Sequence, residues 1–101
     1  MDMTGVQFTE RYDSKEYGTT TLYFDAPKEL LPNQYDDAEY AEIAIECPTD
    51  LIEACSAGVG ISPVNDGSSY DWCDIDLQYE EIDDLIDLYY ATVNKENRKG
   101  E

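Results

Sequence analysis

Carboxylates at regular spacings are the side chains of this sequence that are best placed to do chemistry. On a strand, residues i and i+2 share one face about 6.7 Å apart, and on a helix residues three or four apart are separated by about 5–6 Å. Rows of carboxylates at these separations can stand in for the phosphates of a nucleic-acid strand. On strands, one row is Glu42 and Glu46, interrupted by Ala44, and another is Asp74 with Asp76. The helical row is Glu80, Asp83, Asp84 and Asp87.

These rows lie in a long segment without basic side chains. Residues 29–94 contain 17 acids and no Lys or Arg, so these 66 residues carry almost the whole net charge of -18. Ordinary protein surfaces mix both signs, and like charges one helical turn apart cost about 0.2–0.5 kcal/mol per pair. The composition therefore opposes folding, and we interpret it as serving a binding function. A solvated surface, or adaptation to a saline cytoplasm, is the alternative.

The density of this charge is comparable with that of DNA. A compact domain of 101 residues should have a radius of gyration of about 13 Å, and hence a diameter of roughly 33 Å. Duplex DNA of that length carries on the order of 19 charges. The protein is thus expected to match the linear charge density of DNA across its own width.

The composition excludes several classes of function. Six dispersed Lys and Arg cannot neutralise a run of phosphates, so neither direct nucleic-acid binding nor docking to an anionic membrane is predicted. The absence of His excludes a Ser-His or Cys-His dyad. With 24 acids in the chain, some pairs have a spacing suited to acid–base catalysis by chance, so such a pair is no evidence for an enzyme. We therefore predict no enzyme activity and no catalytic residue.

Metal binding and cellular compartment are judged from the acids, the cysteines and the N-terminus. Asp71, Asp74, Asp76 and Glu80 are clustered, but no EF-hand pattern fits, so we predict no metal site and no cofactor. The three cysteines are odd in number and widely spaced, which is typical of reduced thiols in a cytosol. With no signal peptide or membrane span evident, we predict a cytoplasmic protein.

Hydrophobic periodicity predicts an α+β fold. Two alternating segments, 6–12 and 19–25, form a hairpin with Val6, Phe8 and Tyr12 on one face. The remaining predicted elements are a helical turn at 28–31, a strand at 39–47, a short helix from a capping box at 50–53 to about residue 56, a short strand at 58–61, a turn at 65–69, a strand at 70–79 and a helix at 80–93.

These elements predict one domain, residues 1–93, followed by a loose tail, 94–101. We expect an antiparallel sheet of four to five short strands with the C-terminal helix packed on one face. In strand 39–47, Ala41, Ile43, Ile45 and Cys47 alternate with Tyr40, Glu42, Ala44 and Glu46. Trp72 and Asp74 similarly alternate with Cys73 and Ile75. The face opposite the helix should therefore be polar and strongly acidic.

Nine tyrosines and one tryptophan accompany the acids. Tyr12, Tyr79 and Tyr89 fit core or edge positions. A second group is expected to be partly exposed among the carboxylates: Tyr35, Tyr40, Tyr70, Tyr90 and Trp72. Aromatic rings beside carboxylates suit a contact surface for an Arg-rich partner, through ion pairs and stacking on guanidinium planes. Ordinary packing on the sheet is the alternative.

In these features the chain resembles the small, very acidic inhibitors of phages and mobile elements that mimic DNA, including anti-CRISPR and anti-restriction proteins. The resemblance rests on size, on the base-free segment 29–94 and on residues 70–90, YDWCDIDLQYEEIDDLIDLYY. These inhibitors share no common fold or motif. The resemblance implies a non-catalytic protein of the bacterial host cytoplasm that occupies the basic DNA-binding groove of a nuclease, such as a CRISPR effector or restriction enzyme, and excludes DNA.

The candidate partner-binding residues are Glu42, Glu46, Trp72, Asp74, Asp76, Glu80, Asp83, Asp84, Asp87 and Tyr90. Two other hypotheses stay open. An immunity protein or antitoxin that binds a nuclease toxin would use a similar acidic surface. An acidic calcium-binding or halophilic module would use the carboxylates for ions or solvation.

Overall fold

A computed structural model describes residues 4–32, 35–52 and 57–99. In this part of the chain, strands and one long helix account for most of the residues. The strands are β1 (Gln7–Ser14), β2 (Thr19–Ala26), β3 (Tyr40–Pro48), β4 (Ala57–Asn65), β5 (Ser68–Ser69) and β6 (Cys73–Asp74). A short 3-10 turn covers Lys28–Leu30, and helix α1 covers Tyr79–Lys99.

All of the strand pairs are antiparallel and belong to one sheet. The order is β1-β2-β3-β4-β5, and β6 pairs with the middle of β4 while β5 pairs with its end. Together with α1 on one face, this arrangement confirms the predicted α+β fold. The Cα radius of gyration, 13.7 Å, agrees with the value of about 13 Å expected for this length.

The core lies between the sheet and α1. Strands β2 and β3 alternate strictly, because successive side chains point to opposite faces, and their inward side chains are fully or almost fully buried. Helix α1 covers them with a stripe of apolar residues at helical spacing. The cluster includes Leu22, Phe24, Ile43 and Ile45 from the sheet, and Ile82, Leu85, Ile86 and Tyr89 from α1. The predicted burial of these positions is confirmed.

A β-bulge in β1 corrects the prediction for Tyr12. Phe8 lies opposite Phe24, but Glu10 lies opposite Tyr23, so one extra residue, Thr9, sits between them. The Thr9 hydroxyl donates a hydrogen bond of 3.1 Å to the Tyr23 carbonyl. A bulge reverses the facing of every residue that follows it. Tyr12 therefore lies on the face away from Phe8 and is 59% exposed.

The segment between β5 and α1 also differs from the prediction. Only Cys73–Asp74 forms a strand where alternation predicted one at 70–79. Before it, the chain is held by side chains, since the Asp71 amide donates to the Ser62 hydroxyl at 3.2 Å. Tyr79 begins α1 and is 73% exposed, so its prediction as a core or edge residue was wrong. At this point the spacing of apolar residues changes from every second residue, as in a strand, to about every 3.6 residues, as in a helix.

The connections agree with the sequence where they are described. The hairpin β1–β2, the helical turn after Pro27 and the turn after Asn65 are confirmed. In the last of these, Asp66 and Gly67 both have positive φ, 54° and 79°, as the tight turns of hairpins require. Strand β4 is longer than predicted, and α1 extends beyond the predicted end at residue 93. The predicted helix at 50–56 falls mostly on residues 53–56, which lie outside the described residues.

Within the described part of the chain, no helix is both long enough and apolar enough to cross a membrane.

Candidate functional site

The face of the sheet opposite α1, here called the outer face, gathers acids from several strands. Strand pairing aligns a row of direct neighbours across the sheet: Glu10, Tyr23, Ala44, Gly60 and Asp74. In the adjacent row, Asp25 lies directly opposite Glu42. Directly opposed side chains in an antiparallel pair have Cβ atoms about 4.5–5.5 Å apart. The fold therefore brings together carboxylates that are distant in sequence.

The outer face is concave and forms a groove of about 650 Å³. Outward residues of β1, β2 and β3 line it, namely Glu10, Tyr12, Thr21, Tyr23, Glu42, Ala44 and Glu46. The other lining residues come from β4, β5, β6 and the segment between β5 and β6, namely Val59, Gly60, Ser69, Trp72, Cys73 and Asp74. The groove falls in the range of about 300–1,000 Å³ that small-molecule sites occupy.

Four carboxylates line this groove, and none of the residues that line it is a Lys or Arg. The nearest base in sequence, Arg11, points to the opposite face. Its Nη1 donates to the Tyr89 hydroxyl at 2.6 Å, and its Nε pairs with Asp13 at 2.9 Å. The bulge at Thr9 causes this arrangement, since it turns Glu10 outward and Arg11 towards α1. The outer face thus gains an acid and loses a base.

Two carboxylates of the outer face, Glu42 and Asp25, are partly desolvated. Burial, then the charges of Asp25 and Glu10, raise the pKa of Glu42 above its ordinary value. Burial likewise raises the pKa of Asp25. Burial, followed by the charges of Glu42 and Glu10, raises the pKa of Tyr23. These directions all indicate a site where negative charge is costly and where a cation would relieve the cost.

Two aromatic side chains form a corner within the groove. The rings of Tyr23 and Trp72 lie 6.5 Å apart, with 64° between their planes. Trp72 lies over Gly60, where an added Cβ would already contact its Cε3 at 3.4 Å. The lack of a side chain at Gly60 therefore lets the indole lie against β4. Trp72 is still 44% exposed.

A reciprocal pair of tyrosine–aspartate hydrogen bonds holds the chain next to Trp72. The Tyr35 hydroxyl donates to Asp71 at 2.6 Å, and the Tyr70 hydroxyl donates to Asp37 at 2.9 Å. The two rings lie 6.1 Å apart in an edge-to-face arrangement. Burial and the hydrogen bond to Asp37 raise the pKa of Tyr70 to about 12. We call these four residues the tyrosine clamp, and it fixes the backbone immediately before Trp72.

The acids of α1 form a separate surface. Glu80, Asp83, Asp84 and Asp87 are exposed, and they point away from the sheet because the opposite side of α1 packs on the core. We call this the helix face. It presents carboxylates to solvent without the concavity or the aromatic corner of the outer face.

Of the ten residues predicted from the sequence, the structure brings four into the groove: Glu42, Glu46, Trp72 and Asp74. The four helical acids lie on the helix face. Asp76 is exposed and is not among the residues that line the groove. Tyr90 is half-buried, with its ring 5.0 Å from that of Tyr89. Whether any of them contacts a partner stays a prediction.

Four residues of the outer face were missed by sequence reasoning. Tyr23 and Asp25 alternate with the buried Leu22 and Phe24, so the pleat of β2 was a sufficient signal. Glu10 and Tyr12 were hidden by the bulge, for which the residues of β1 show no marker.

Among the described residues, no group of three or more His, Cys, Asp or Glu side chains is arranged to hold a metal ion. Cys73 is half-buried, and its Sγ lies 3.6 Å from the Ile61 carbonyl oxygen. This thiol packs against the core, which agrees with a structural role.

Comparisons with protein-family models, with curated proteins and with solved structures found no match to this chain.

Proposed function

We propose that this protein binds a basic DNA-binding protein through its outer face and excludes DNA from it. The partner we infer is a bacterial nuclease, such as a CRISPR effector or a restriction enzyme. The observation that supports this most directly is the groove lined by four carboxylates and no base, with Arg11 turned to the other side of the sheet.

The electrostatic cost of the outer face supports a binding role. Asp25 and Glu42 are directly opposed across β2 and β3, and such like-charge pairs destabilise a sheet by roughly 0.2–1 kcal/mol. A fold selected for stability alone would place a base at one of these positions. Functional sites are where proteins retain such local conflicts.

The spacing of the acids suits a partner that binds DNA. Adjacent strands lie about 4.7–4.9 Å apart, which is shorter than the Debye length of about 8 Å at physiological salt. The carboxylates of neighbouring strands therefore act as one anionic surface. A cationic cleft that binds phosphates would be attracted to this surface, and association would weaken as salt rises.

The outer face suits the contact better than the helix face. Two of its acids, Asp25 and Glu42, are half-buried, and aromatic rings lie among the acids of its groove, so docking would desolvate both ion pairs and apolar area. The four acids of the helix face are all exposed, and ion pairs of exposed acids contribute little at short range. We assign to the helix face a role in long-range attraction only.

Displacement of DNA from a basic nuclease tests this proposal. A labelled duplex bound to a CRISPR effector is titrated with the wild-type protein and with two variants that remove the same charge. The outer-face variant carries Glu10→Gln, Glu42→Gln, Glu46→Gln and Asp74→Asn, and the matched helix-face variant carries Glu80→Gln, Asp83→Asn, Asp84→Asn and Asp87→Asn.

We expect the outer-face variant to lose about 100-fold in the concentration that displaces half of the duplex, because four ion pairs at roughly 0.7 kcal/mol each amount to that factor. The helix-face variant should lose less than about fivefold, as expected for screened surface charge. Equal losses for the two variants would contradict the assignment to the outer face. Failure of the wild-type protein to displace duplex from any of a panel of basic nucleases would refute the proposed function.

A further inference from the structure

We propose that the corner between Tyr23 and Trp72 is a binding subsite for an arginine side chain of the partner. This inference rests on the proposed function and specifies the chemistry of the contact. It assigns a distinct role to the aromatic rings, which attraction between net charges alone does not require.

The geometry of the corner fits a planar cation. The two ring planes meet at 64° with centroids 6.5 Å apart, so a side chain that lies on one ring has its edge towards the other. Because Gly60 has no side chain, Trp72 rests on the β4 backbone and keeps 44% of its surface exposed. A ring held in this way offers a preformed platform at little cost in conformational entropy.

Carboxylates surround the same corner. Glu10 lies directly opposite Tyr23 across β1 and β2, and Asp74 lies directly opposite Gly60 across β4 and β6. Glu42 belongs to the same groove and is partly buried. A guanidinium stacked on the indole would thus have acceptors around its edge, where its N–H groups point.

These features favour arginine over lysine. The guanidinium is planar, is weakly hydrated, and can stack on an aromatic face while donating in parallel to a carboxylate. The lysine ammonium is a compact and strongly hydrated charge, which gains less from a half-exposed indole. Proteins that bind DNA commonly use arginine for their base and phosphate contacts, so arginine is available in the proposed partner.

Trp72 is the sole tryptophan of the chain, so its fluorescence reports on the subsite directly. The experiment titrates the full-length protein with a hexa-arginine peptide and with a hexa-lysine peptide of equal charge, at physiological salt. We expect the arginine peptide to change the Trp72 emission and to bind about tenfold more tightly, as a desolvated cation–π contact provides.

Two variants separate stacking from charge, with binding measured by anisotropy of labelled peptides. Trp72→Leu should bring the arginine preference below about twofold, since only ion pairs remain. Tyr17→Leu removes another exposed aromatic ring, in the β1–β2 turn, and should keep the full preference. Far-UV circular dichroism checks that both variants are folded.

Equal affinity for the two peptides, or unchanged preference in Trp72→Leu, would overturn the arginine subsite. A third titration uses spermidine. If spermidine bound as tightly as the arginine peptide, the arginine subsite would be overturned as well, in favour of a site for small polyamines. If the protein displaces DNA but shows no arginine preference, the proposed function survives and the subsite does not. If neither peptide binds and no duplex is displaced, both are wrong.

Discussion

The outer face and the helix face are both acidic, but they are built in different ways. On the helix face, Asp83 and Asp87 lie about one helical turn apart on α1 and project into solvent. On the outer face, Glu10, Glu42 and Asp74 come from three strands and meet only because the strands pair. The helix face needs one element, whereas the outer face needs the whole fold. Charge density alone therefore does not identify a binding site. The groove and the aromatic rings beside the acids distinguish the outer face from the helix face.

The largest expected difference between the faces lies in the kinetics with a basic nuclease. Short-range ion pairs act mainly on dissociation, while peripheral charge acts on association. We expect the outer-face variant to raise the dissociation rate constant about 100-fold and the helix-face variant to lower the association rate constant about threefold. Surface plasmon resonance at 50 and 500 mM salt measures both. If both variants change only the association rate, the outer face provides attraction and no specific contact.

How well the sequence predicts each face depends on how far apart in the chain the contacting residues lie. The pleat of β3 is local, so the outward positions of Glu42 and Glu46 follow directly from alternation. The helical row is equally local. Trp72 reaches the groove through pairing of β6 with β4 and through the side-chain hydrogen bonds of Tyr70 and Asp71 just before it. Such contacts between distant residues leave no periodic signal.

The bulge in β1 shows the same limit at a single residue. Thr9 is an ordinary strand residue, and alternation from Phe8 to Tyr12 is compatible with a regular strand. Whether Glu10 or Arg11 faces outward depends on one residue of register, and the inward Arg11 finds its partner in Tyr89, 78 residues away in sequence. The sequence alone therefore does not predict whether an acid or a base faces outward at this edge of the sheet.

The tyrosine clamp is expected to stabilise the outer face without touching a partner's arginine. Tyr70→Phe removes the hydrogen bond to Asp37, and we expect a loss of about 0.5–1.5 kcal/mol in the free energy of unfolding. Because Trp72 follows the clamp, the variant should also weaken arginine-peptide binding a few-fold. Urea denaturation and the peptide titration measure the two effects. Tyr79→Phe, at an exposed position on α1, is the control, and equal losses there would contradict a specific clamp.

Removing a single charge should separate stability from binding on the outer face. Glu42→Gln relieves the opposition to Asp25, and we expect the free energy of unfolding to rise by roughly 0.2–1 kcal/mol. Binding to the basic partner should weaken at the same time. On the helix face, Asp84→Asn relieves repulsion from three acids one turn away, Glu80, Glu81 and Asp87. It should therefore also stabilise, by about 0.2–0.5 kcal/mol per pair, but leave binding nearly unchanged. A destabilised Glu42→Gln protein would show that this carboxylate has a structural role instead.

The smallest expected effect is a difference in how pH changes stability. Glu42 and Asp25 have raised pKa values in the folded protein, so the folded state binds more protons than the unfolded chain just above the ordinary carboxylate pKa of about 4. The free energy of unfolding should therefore increase as pH falls from 7 towards about 4.5.

At lower pH the sign reverses. A hydrogen bond from Arg11 lowers the pKa of Asp13, and one from the Gln78 amide lowers that of Glu81. The stability that these two acids contribute is lost as pH falls below about 4 and through their folded pKa values. Urea unfolding at half-unit steps from pH 7 to 3 should show a maximum. Glu42→Gln should flatten only the limb above the maximum, because it removes a carboxyl whose own pKa is raised in the folded protein and leaves Asp13 and Glu81 unchanged. A wild-type protein that loses stability steadily from pH 7 downward would show that Glu42 and Asp25 are not desolvated, and would remove one physical distinction between the two faces.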